Sequence, residues 1–322
     1  MNRLIIIGLV LAIACGTKEG KVVDEVEAKA PLKAGKIFQA VSLRGDSLFT
    51  PEYSAEKRAK LDSNLNVADK NWQSDPSEIN TIWLGRRVAY AGRYRQAIDI
   101  FSEGLARYPG SYKLLRHRGH RYISIRELDK AIEDFKKAAD MMPKDRIEIE
   151  PDGIPNSINT PLSSTQFNIW YHLGLAYYLK GEFEQALRSY KECLKVSVND
   201  DLQSATVDWL YMTYRRLGRE EEAKQALTAV HKNMTIIENS SYFKRLMMYK
   251  GDVPVDSVLN VSDSDPDLDL TLATQGYGVG NWYLYNGDTT KAVEVFKMVV
   301  DGKHRSAFGY IAAEADLSRM DK

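Results

Sequence analysis

The chain has 322 residues, and its 44 basic side chains (Lys and Arg) are balanced by 44 acidic ones (Asp and Glu). That balance argues against nucleic acid as a partner, because binding a polyphosphate requires a surplus of positive charge. Hydrophobic residues make up 44% of the chain and charged residues 27%, which supports a globular core and argues against general disorder. The chain has two cysteines, Cys15 and Cys193, so a disulfide framework is excluded if Cys15 is otherwise occupied.

The chain begins with the pattern of a bacterial export signal. Arg3 is followed by an apolar run at 4–14, which is too short to cross a bilayer because a transmembrane helix needs about 20 residues. The run ends at Cys15 and resembles the lipobox of bacterial lipoproteins, where a small residue precedes a cysteine that is lipidated and becomes the new N-terminus. Ala12 departs from this pattern, which prefers leucine three residues before the cysteine. We predict a signal peptide at 1–14 and lipid attachment at Cys15, with an ordinary cleaved signal and a chance cysteine as the alternative.

The residues after Cys15 bear on where the anchor would hold the protein. Gly16 stands where the inner-membrane retention signal of enteric bacteria has Asp, so the resemblance implies the outer membrane. The pair Lys18-Glu19 is similar to a surface-export tract of some bacteria, which leaves the periplasmic and the surface face open. Residues 15–53 are predicted to be a tether and N-terminal segment, because the first part of this stretch is charged and lacks apolar periodicity.

The sequence becomes periodic at about residue 54. Apolar residues recur at helical spacing from Ala55 to Trp72, and Pro76 follows, a pattern that predicts one helix. Beyond it, four pairs of residues repeat at an interval of 34 residues: Gly85 and Gly119, Ala97 and Ala131, Phe101 and Phe135, and Pro109 and Pro143. A period of this length predicts stacked helical hairpins. The small residues would let the two helices of a hairpin approach closely, and the aromatic residue would fill the remaining gap.

The segment after residue 166 carries the most detailed pattern. Its key residues are Trp170, Leu173, Gly174, Tyr177, Gly181, Phe183, Ala186 and Tyr190. They resemble the W-x2-L-G-x2-Y, G and A-x3-F/Y pattern of tetratricopeptide repeats. The resemblance implies an all-α fold, namely a right-handed αα-solenoid of tetratricopeptide repeats, and a role in holding a protein or peptide.

The same pattern divides the predicted solenoid, 54–322, into units. The predicted repeats lie near 78–111, 112–145, 167–200, 204–237, 238–271 (degenerate) and 273–306, with a capping helix at 306–320 and an insertion at 144–166. Caps are expected because an end repeat has no neighbour to bury its apolar face. The helix near 55–72 would cap the N-terminal end.

In this fold, five positions of each first helix line the concave groove, and here they are rich in Arg, His and Tyr. The predicted groove residues are Arg86, Tyr90, Lys113, Arg116, His120, Asn168, Tyr171, Tyr178, Asp208, Arg215, Arg216, Tyr277, Asn281 and Tyr285. Guanidinium groups suit carboxylates and phosphates, and tyrosine gives contact area at low entropic cost. We predict that the groove binds an acidic peptide or a terminal carboxylate; a solvated face with scattered charge is the alternative. The Lys/Asn carboxylate clamp of chaperone-binding members is not reproduced, since Ile82 and Arg86 stand at its positions.

The sequence lacks the short motifs of common catalytic and metal sites. It has no Gly-rich phosphate loop, HExxH, GxSxG, CxxC or EF-hand loop. His117 and His120 could share a metal ion, but Arg116, Arg118 and Arg121 would repel a cation. We therefore predict no metal and no cofactor. Cys193 is interpreted as a buried packing residue.

The insertion carries Glu148, Glu150 and Asp152. It is either a solvent-exposed spacer or an internal lid that folds toward Arg116 and His120. The leading hypothesis for the whole chain is a lipid-anchored scaffold that binds an envelope protein or peptide. One alternative is a hydrolase-like enzyme that uses the 148–152 loop with His120 or His172 as acid and base; the other is a glycan-binding uptake lipoprotein.

Overall fold

The computed structural model describes residues 36–262, 264–265 and 268–321, all within one compact unit, Ala34–Lys322. The predicted signal peptide at 1–14, Cys15 and the tether up to residue 35 lie outside the described residues. The helices are α1 (Ala55–Ser74), α2 (Glu78–Tyr90), α3 (Tyr94–Arg107), α4 (Tyr112–Ser124), α5 (Leu128–Met141), α6 (Thr165–Lys180), α7 (Phe183–Lys195), α8 (Asp200–Arg216), α9 (Glu220–Ala226), α10 (Ser240–Tyr249), α11 (Val255–Val258), α12 (Leu268–Tyr285), α13 (Thr289–Asp301) and α14 (Phe308–Met320). A 3₁₀ turn, Leu227–Ala229, follows α9.

Antiparallel helix pairs follow one another along the chain, as the 34-residue period predicts. The pairs are α2–α3, α4–α5, α6–α7, α8–α9 and α12–α13. The degenerate unit is reduced to α10 and a four-residue α11. Helix α1 packs on α2, where the sequence predicted an N-terminal cap. None of the described helices is long and apolar enough to cross a membrane.

One glycine–aromatic contact recurs in four of the hairpins. A Cβ on Gly85 would lie 2.3 Å from the Phe101 ring, and one on Gly174 would lie 2.7 Å from the Tyr190 ring. The same contact joins Gly119 to Phe135 and Gly280 to Phe296, with distances of 2.9 and 2.6 Å. Because a real Cβ needs more than 3.0 Å, only glycine lets the second helix bring its aromatic ring so close.

The first helices of successive hairpins form an inner wall. Helices α2, α4, α6 and α8 each contact the next first helix, whereas second helices such as α3 and α5 make no comparable contact with one another. In a curved stack, the helices that touch across repeats lie on the concave side. The inner wall is therefore the side on which the predicted groove residues lie.

The C-terminal helix α14 packs on this inner wall, against α6, α12 and α13. Residues 309–317 are all buried. Glu314 forms a buried ion pair with Arg126 (2.7 Å), which lies in the turn between α4 and α5. Arg126 has a positive φ of 66° at a position where the first and third hairpins have Gly92 and Gly181. The contact with Glu314 accounts for an arginine where the backbone favours glycine.

The segment before α1 contains a β-hairpin, which was not predicted from the sequence. Strands β1 (Phe38–Val41) and β2 (Ser47–Phe49) pair antiparallel. Ala40 and Leu48 pack on Ile98 and Ile125. The Leu43 amide donates to Oε1 of Glu314 (2.5 Å). The hairpin therefore joins the N-terminal end of the array to α14.

Candidate functional site

The insertion between α5 and α6 folds back over the inner wall at α2 and α4. Ile149 forms an antiparallel bridge with Ser164, the Glu150 amide donates to the Ser163 carbonyl (3.0 Å), and the Thr165 amide donates to the Glu148 carbonyl (2.8 Å). Arg87 donates to the Gly153 carbonyl (2.9 Å). The insertion is thus an ordered lid, as one of the two sequence interpretations predicted.

A partly enclosed cavity of about 90 Å³ lies beneath the lid, between α2 and α4. We call it the arginine pocket. It is lined by Arg86, Ala89, Tyr90, Phe101, Arg116, His117, His120, Arg121 and Glu150. Four of the predicted groove residues, Arg86, Tyr90, Arg116 and His120, therefore meet at one site.

Local structure fixes the direction of α4, which supplies four of these residues. The Ser111 side chain caps the helix by accepting a hydrogen bond from the Leu114 amide (2.9 Å). On its inner side, the Phe101 ring stacks on His117 with 5.8 Å between ring centres. The side chains at 116, 117, 120 and 121 consequently face the cavity.

The three arginines of the pocket have different partners. Arg116 is paired with Glu150 (2.9 Å) and donates to Nδ1 of His117 (3.1 Å), but its buried Nε has no hydrogen-bond partner. Arg86 donates to the Pro151 carbonyl (2.9 Å). The guanidinium of Arg121 lies 5.7 Å from the centre of the Tyr94 ring, and no carboxylate of the described residues pairs with it.

The pocket has a surplus of positive charge. Three guanidinium groups line it, against the single carboxylate of Glu150. Burial lowers the pKa of Arg121 to about 10, and the nearby charges of Arg116 and Arg86 act in the same direction. Arg121 therefore stays protonated at neutral pH, and no carboxylate within the described part of the chain is paired with its charge.

The histidines around the pocket are held neutral. Burial lowers the pKa of His117, His120 and His172 well below the usual value, and the positive charges of neighbouring arginines lower it further. The rings of His120 and His172 are 4.4 Å apart. No group of three or more His, Cys, Asp or Glu side chains suited to a metal ion occurs among the described residues.

Lys113 lies at the edge of the lid, where its Nζ is 3.4 Å from Glu148. The prediction had placed Lys113, Arg86 and Arg116 on an open wall. The structure corrects this, because the lid covers the wall and its carbonyl and carboxylate oxygens contact all three side chains.

Predicted groove residues on α6 and α12 contact the chain itself. The Tyr178 hydroxyl accepts a hydrogen bond from Nδ2 of Asn281 and lies within hydrogen-bond distance of the Tyr277 hydroxyl, both at 2.9 Å. Asp316 of α14 accepts from Tyr277 (3.0 Å) and pairs with Arg216. An open groove was predicted here, and the correction has a simple cause: α14 fills this part of the inner wall.

The remaining predicted groove residues also have internal partners. Asp208 forms a fully buried ion pair with Arg245 of α10, and burial raises the pKa of this aspartate. The Tyr171 hydroxyl donates to that of Tyr242 (3.0 Å). Arg215 stacks over the Tyr285 ring at 4.5 Å, and Asn168 donates to Ser163 (2.9 Å). The contacts of Asp208, Tyr171 and Arg215 join different repeats, and Asn168 is bonded to the insertion.

The geometry does not provide the acid–base pair of the hydrolase hypothesis. In the described chain, neither His120 nor His172 is hydrogen-bonded to a carboxylate: His172 Nδ1 contacts the Asn168 carbonyl (2.5 Å), and His120 contacts aromatic rings. Glu150 lies 3.9 Å from Nε2 of His117, which is too far for a hydrogen bond. Glu148 is engaged with Tyr112 (2.6 Å).

Sequence reasoning missed two residues of the pocket, His117 and Arg121. The usual spacing of groove positions on a first helix does not include residues 117 and 121. Their separation of four residues puts them one turn apart on a single helix face, and that spacing was the signal available in the sequence. Cys193 is completely buried, as predicted.

The sequence profile of the tetratricopeptide repeat matches residues 167–200, the segment that contains α7 and nearly all of α6. Residues 167–200 form a tetratricopeptide repeat. The other hairpins share its glycine–aromatic contact, and the chain has an all-α tetratricopeptide-repeat fold, as the sequence predicted.

Three of the solved structures that are similar to this chain are as follows. A tetratricopeptide repeat protein from Parabacteroides merdae is 13% identical over 81% of this chain and 94% of its own, with a TM-score of 0.46. YrrB, described as a tetratricopeptide-repeat protein with an unusual peptide-binding site, is 14% identical over 78% and 97%, with a TM-score of 0.40. A MamA structure is 18% identical over 53% and 84%, with a TM-score of 0.38. No curated protein sequence matches the chain.

Proposed function

We propose that this protein is a lipid-anchored scaffold of the bacterial cell envelope that holds an acidic protein or peptide at the arginine pocket. The observation that carries the proposal is a buried surplus of positive charge in a chain whose net charge is zero. Each charge-assisted hydrogen bond to a partner's carboxylate would contribute about 1.5–3 kcal/mol.

The surface beside the pocket suits a protein partner. The lid exposes four isoleucines, with Ile147 at 41%, Ile149 at 56%, Ile154 at 77% and Ile158 at 52%. Exposed apolar side chains grouped near a polar site are typical of interaction surfaces. A partner segment with an acidic residue flanked by apolar ones would match both features.

The rest of the inner wall restricts where a partner binds. Helix α14 packs against α6 and α12, and the lid lies over α2 and α4 with the arginine pocket beneath it. We therefore propose a short recognition segment and not a peptide that runs the length of the array.

The anchor is tested by replacing its cysteine. Cys15→Ala should move the protein from the membrane fraction to the soluble fraction, because the lipidated side chain is lost. Cys193→Ala, which removes the other cysteine, is the control and should stay with the membrane. Unchanged fractionation of Cys15→Ala would contradict the lipid anchor.

The partner is tested by crosslinked pull-down of the mature protein from envelope extract. The proposal predicts a partner whose capture falls as salt is added, since salt screens the attraction between an acidic partner approaching through solvent and the pocket beyond about 8–10 Å. An excess of an acidic peptide should compete with it. Capture that is insensitive to both salt and the acidic peptide would contradict binding at the arginine pocket.

A further inference from the structure

We propose that the arginine pocket is a proton-coupled oxyanion site. One carboxylate- or phosphate-type group would bind among Arg86, Arg116 and Arg121, and its binding would place a proton on a neighbouring histidine. This deepens the proposed function, because the pocket is where an acidic group of a partner would enter.

The geometry provides both a space and unused donors. The cavity of about 90 Å³ is several times the roughly 10–15 Å³ that a cavity needs to hold one water, so a carboxylate-sized group fits. Arg116 is only 7% exposed, and its Nε has no hydrogen-bond partner. A buried donor without a partner is costly, and an oxyanion would satisfy it.

Charge selects an anion over a cation or a neutral ligand. The three guanidiniums outnumber the one lining carboxylate, and Arg121 lies over the Tyr94 ring and pairs with no carboxylate of the described residues. Asp152 of the lid lies near Arg86 and lowers the local potential, but it does not line the cavity. Glu150 already holds one side of Arg116, which indicates that the site accepts carboxylate oxygens.

The histidines link binding to protons. His117 and His120 line the cavity, and Arg116 and Arg121 of α4, Arg86 of α2, Glu150 of the lid and His172 of α6 surround them. The tyrosines Tyr90 and Tyr94 face the same arginines, and α14 places the Phe308 ring beside His120.

Burial and, after it, the positive charges of the arginines keep these histidines neutral. An entering oxyanion would offset the positive charges, so the pKa of the histidines would rise on binding. Binding would therefore take up a proton and tighten as the pH falls.

Isothermal titration calorimetry tests the site with two probes on the wild-type mature chain. The first probe is inorganic phosphate, and the second is a capped peptide with one glutamate, compared with its glutamine counterpart. Titration in two buffers of different protonation enthalpy measures the protons taken up. We expect saturable binding with net proton uptake, and an affinity that weakens from about pH 6 to about pH 8, by up to about tenfold per pH unit for each proton linked.

Two variants locate the site. Arg121→Gln should weaken binding at least about tenfold, the loss of roughly one charge-assisted hydrogen bond, and Arg121→Lys should recover part of it. Arg107→Gln is the matched control. Arg107 also stacks on an aromatic ring, Trp72 at 5.2 Å, but it lies outside the pocket. The affinity of this variant for both probes should equal that of wild type. Thermal melts of all variants confirm folding.

The outcomes separate this proposal from the proposed function. Absence of saturable binding by both probes, equal binding by Arg121→Gln, or binding without proton uptake would each overturn the proton-coupled site, whereas a salt-sensitive partner could still be captured. Binding of phosphate without the glutamate peptide would support the oxyanion site for a free anion and contradict its use in partner capture. Preference for the glutamate peptide over its glutamine counterpart would support both.

Discussion

Small side chains set how closely the two helices of each repeat pack. Ala186 of α7 is completely buried, like Ala131 at the equivalent place in the second repeat. Ala186→Leu should therefore overpack the hairpin and lower the free energy of unfolding by about 1–3 kcal/mol. Urea denaturation measures this. Ala106→Leu on the exposed side of α3 is the control and should be near wild type; equal stability of the two variants would show that the packing register is wrong.

The buried histidines make stability depend on pH. His172 is 4% exposed, and burial together with Arg116 depresses its pKa in the folded state. In the unfolded chain its pKa returns to about 6.5. Its contribution to stability is therefore fully present above about pH 6.5 and is lost as the pH falls below that value.

Replacing His172 should weaken this pH dependence. Between about pH 7 and pH 5, His172→Gln should lose less stability than wild type, by up to about 1.4 kcal/mol per pH unit. Denaturation at several pH values measures the difference. His231→Gln, at an exposed position, should keep the wild-type slope. If His172→Gln kept it as well, the histidine would not be buried neutral.

At the scale of elements, local patterns predicted the helical hairpins. Helix boundaries depend on residues within one repeat, and so does the contact between Gly174 and the Tyr190 ring. The repeat pattern of the sequence was therefore enough to predict them. The β-hairpin at 38–49 and the position of α14 could not be predicted in this way. They depend on contacts such as Leu43 with Glu314 and Arg126 with Glu314, which are 271 and 188 residues apart and leave no periodic trace.

For the candidate site too, the features set by the repeat pattern could be predicted and those set by contacts between distant segments could not. The repeat register brought Arg86, Arg116 and His120 together correctly. Whether these residues face solvent depends on the insertion, which has no repeat pattern. The sequence therefore left two possibilities open, an exposed spacer and a lid such as the one that the ion pair between Glu150 and Arg116 holds. The sequence did not predict that α14 would cover Tyr178.

The lid depends on that ion pair. Glu150→Ala would leave Arg116 buried and without its carboxylate, a change that typically costs about 3–5 kcal/mol. We expect a lower melting temperature and faster proteolysis within 144–164. Asp145→Ala is the control, since Asp145 is 82% exposed and only weakly paired with Arg146 (3.8 Å). A lid as protease-resistant as wild type would mean that Glu150 does not hold it.

At the scale of the whole molecule, the net charge is zero, but the arginine pocket has a local excess of positive charge. The chain has equal numbers of acidic and basic residues, yet many of its arginines are used to join distant elements: Arg126 and Arg216 to α14, and Arg245 to α8. Arg121 has no carboxylate partner in the described chain. We propose that the arginine pocket, on an inner wall otherwise used for the chain's own contacts, is the site that binds a partner.

The central claim is that this site captures the partner, and the affinity of the captured partner for three proteins tests it most directly. The three are wild type, Arg121→Gln and the control Arg107→Gln, measured at low and high salt after melts confirm equal stability. The account predicts that Arg121→Gln binds at least about tenfold more weakly, which is about 1.4 kcal/mol, with a smaller salt dependence, while Arg107→Gln equals wild type. Equal affinity of Arg121→Gln and wild type would contradict it.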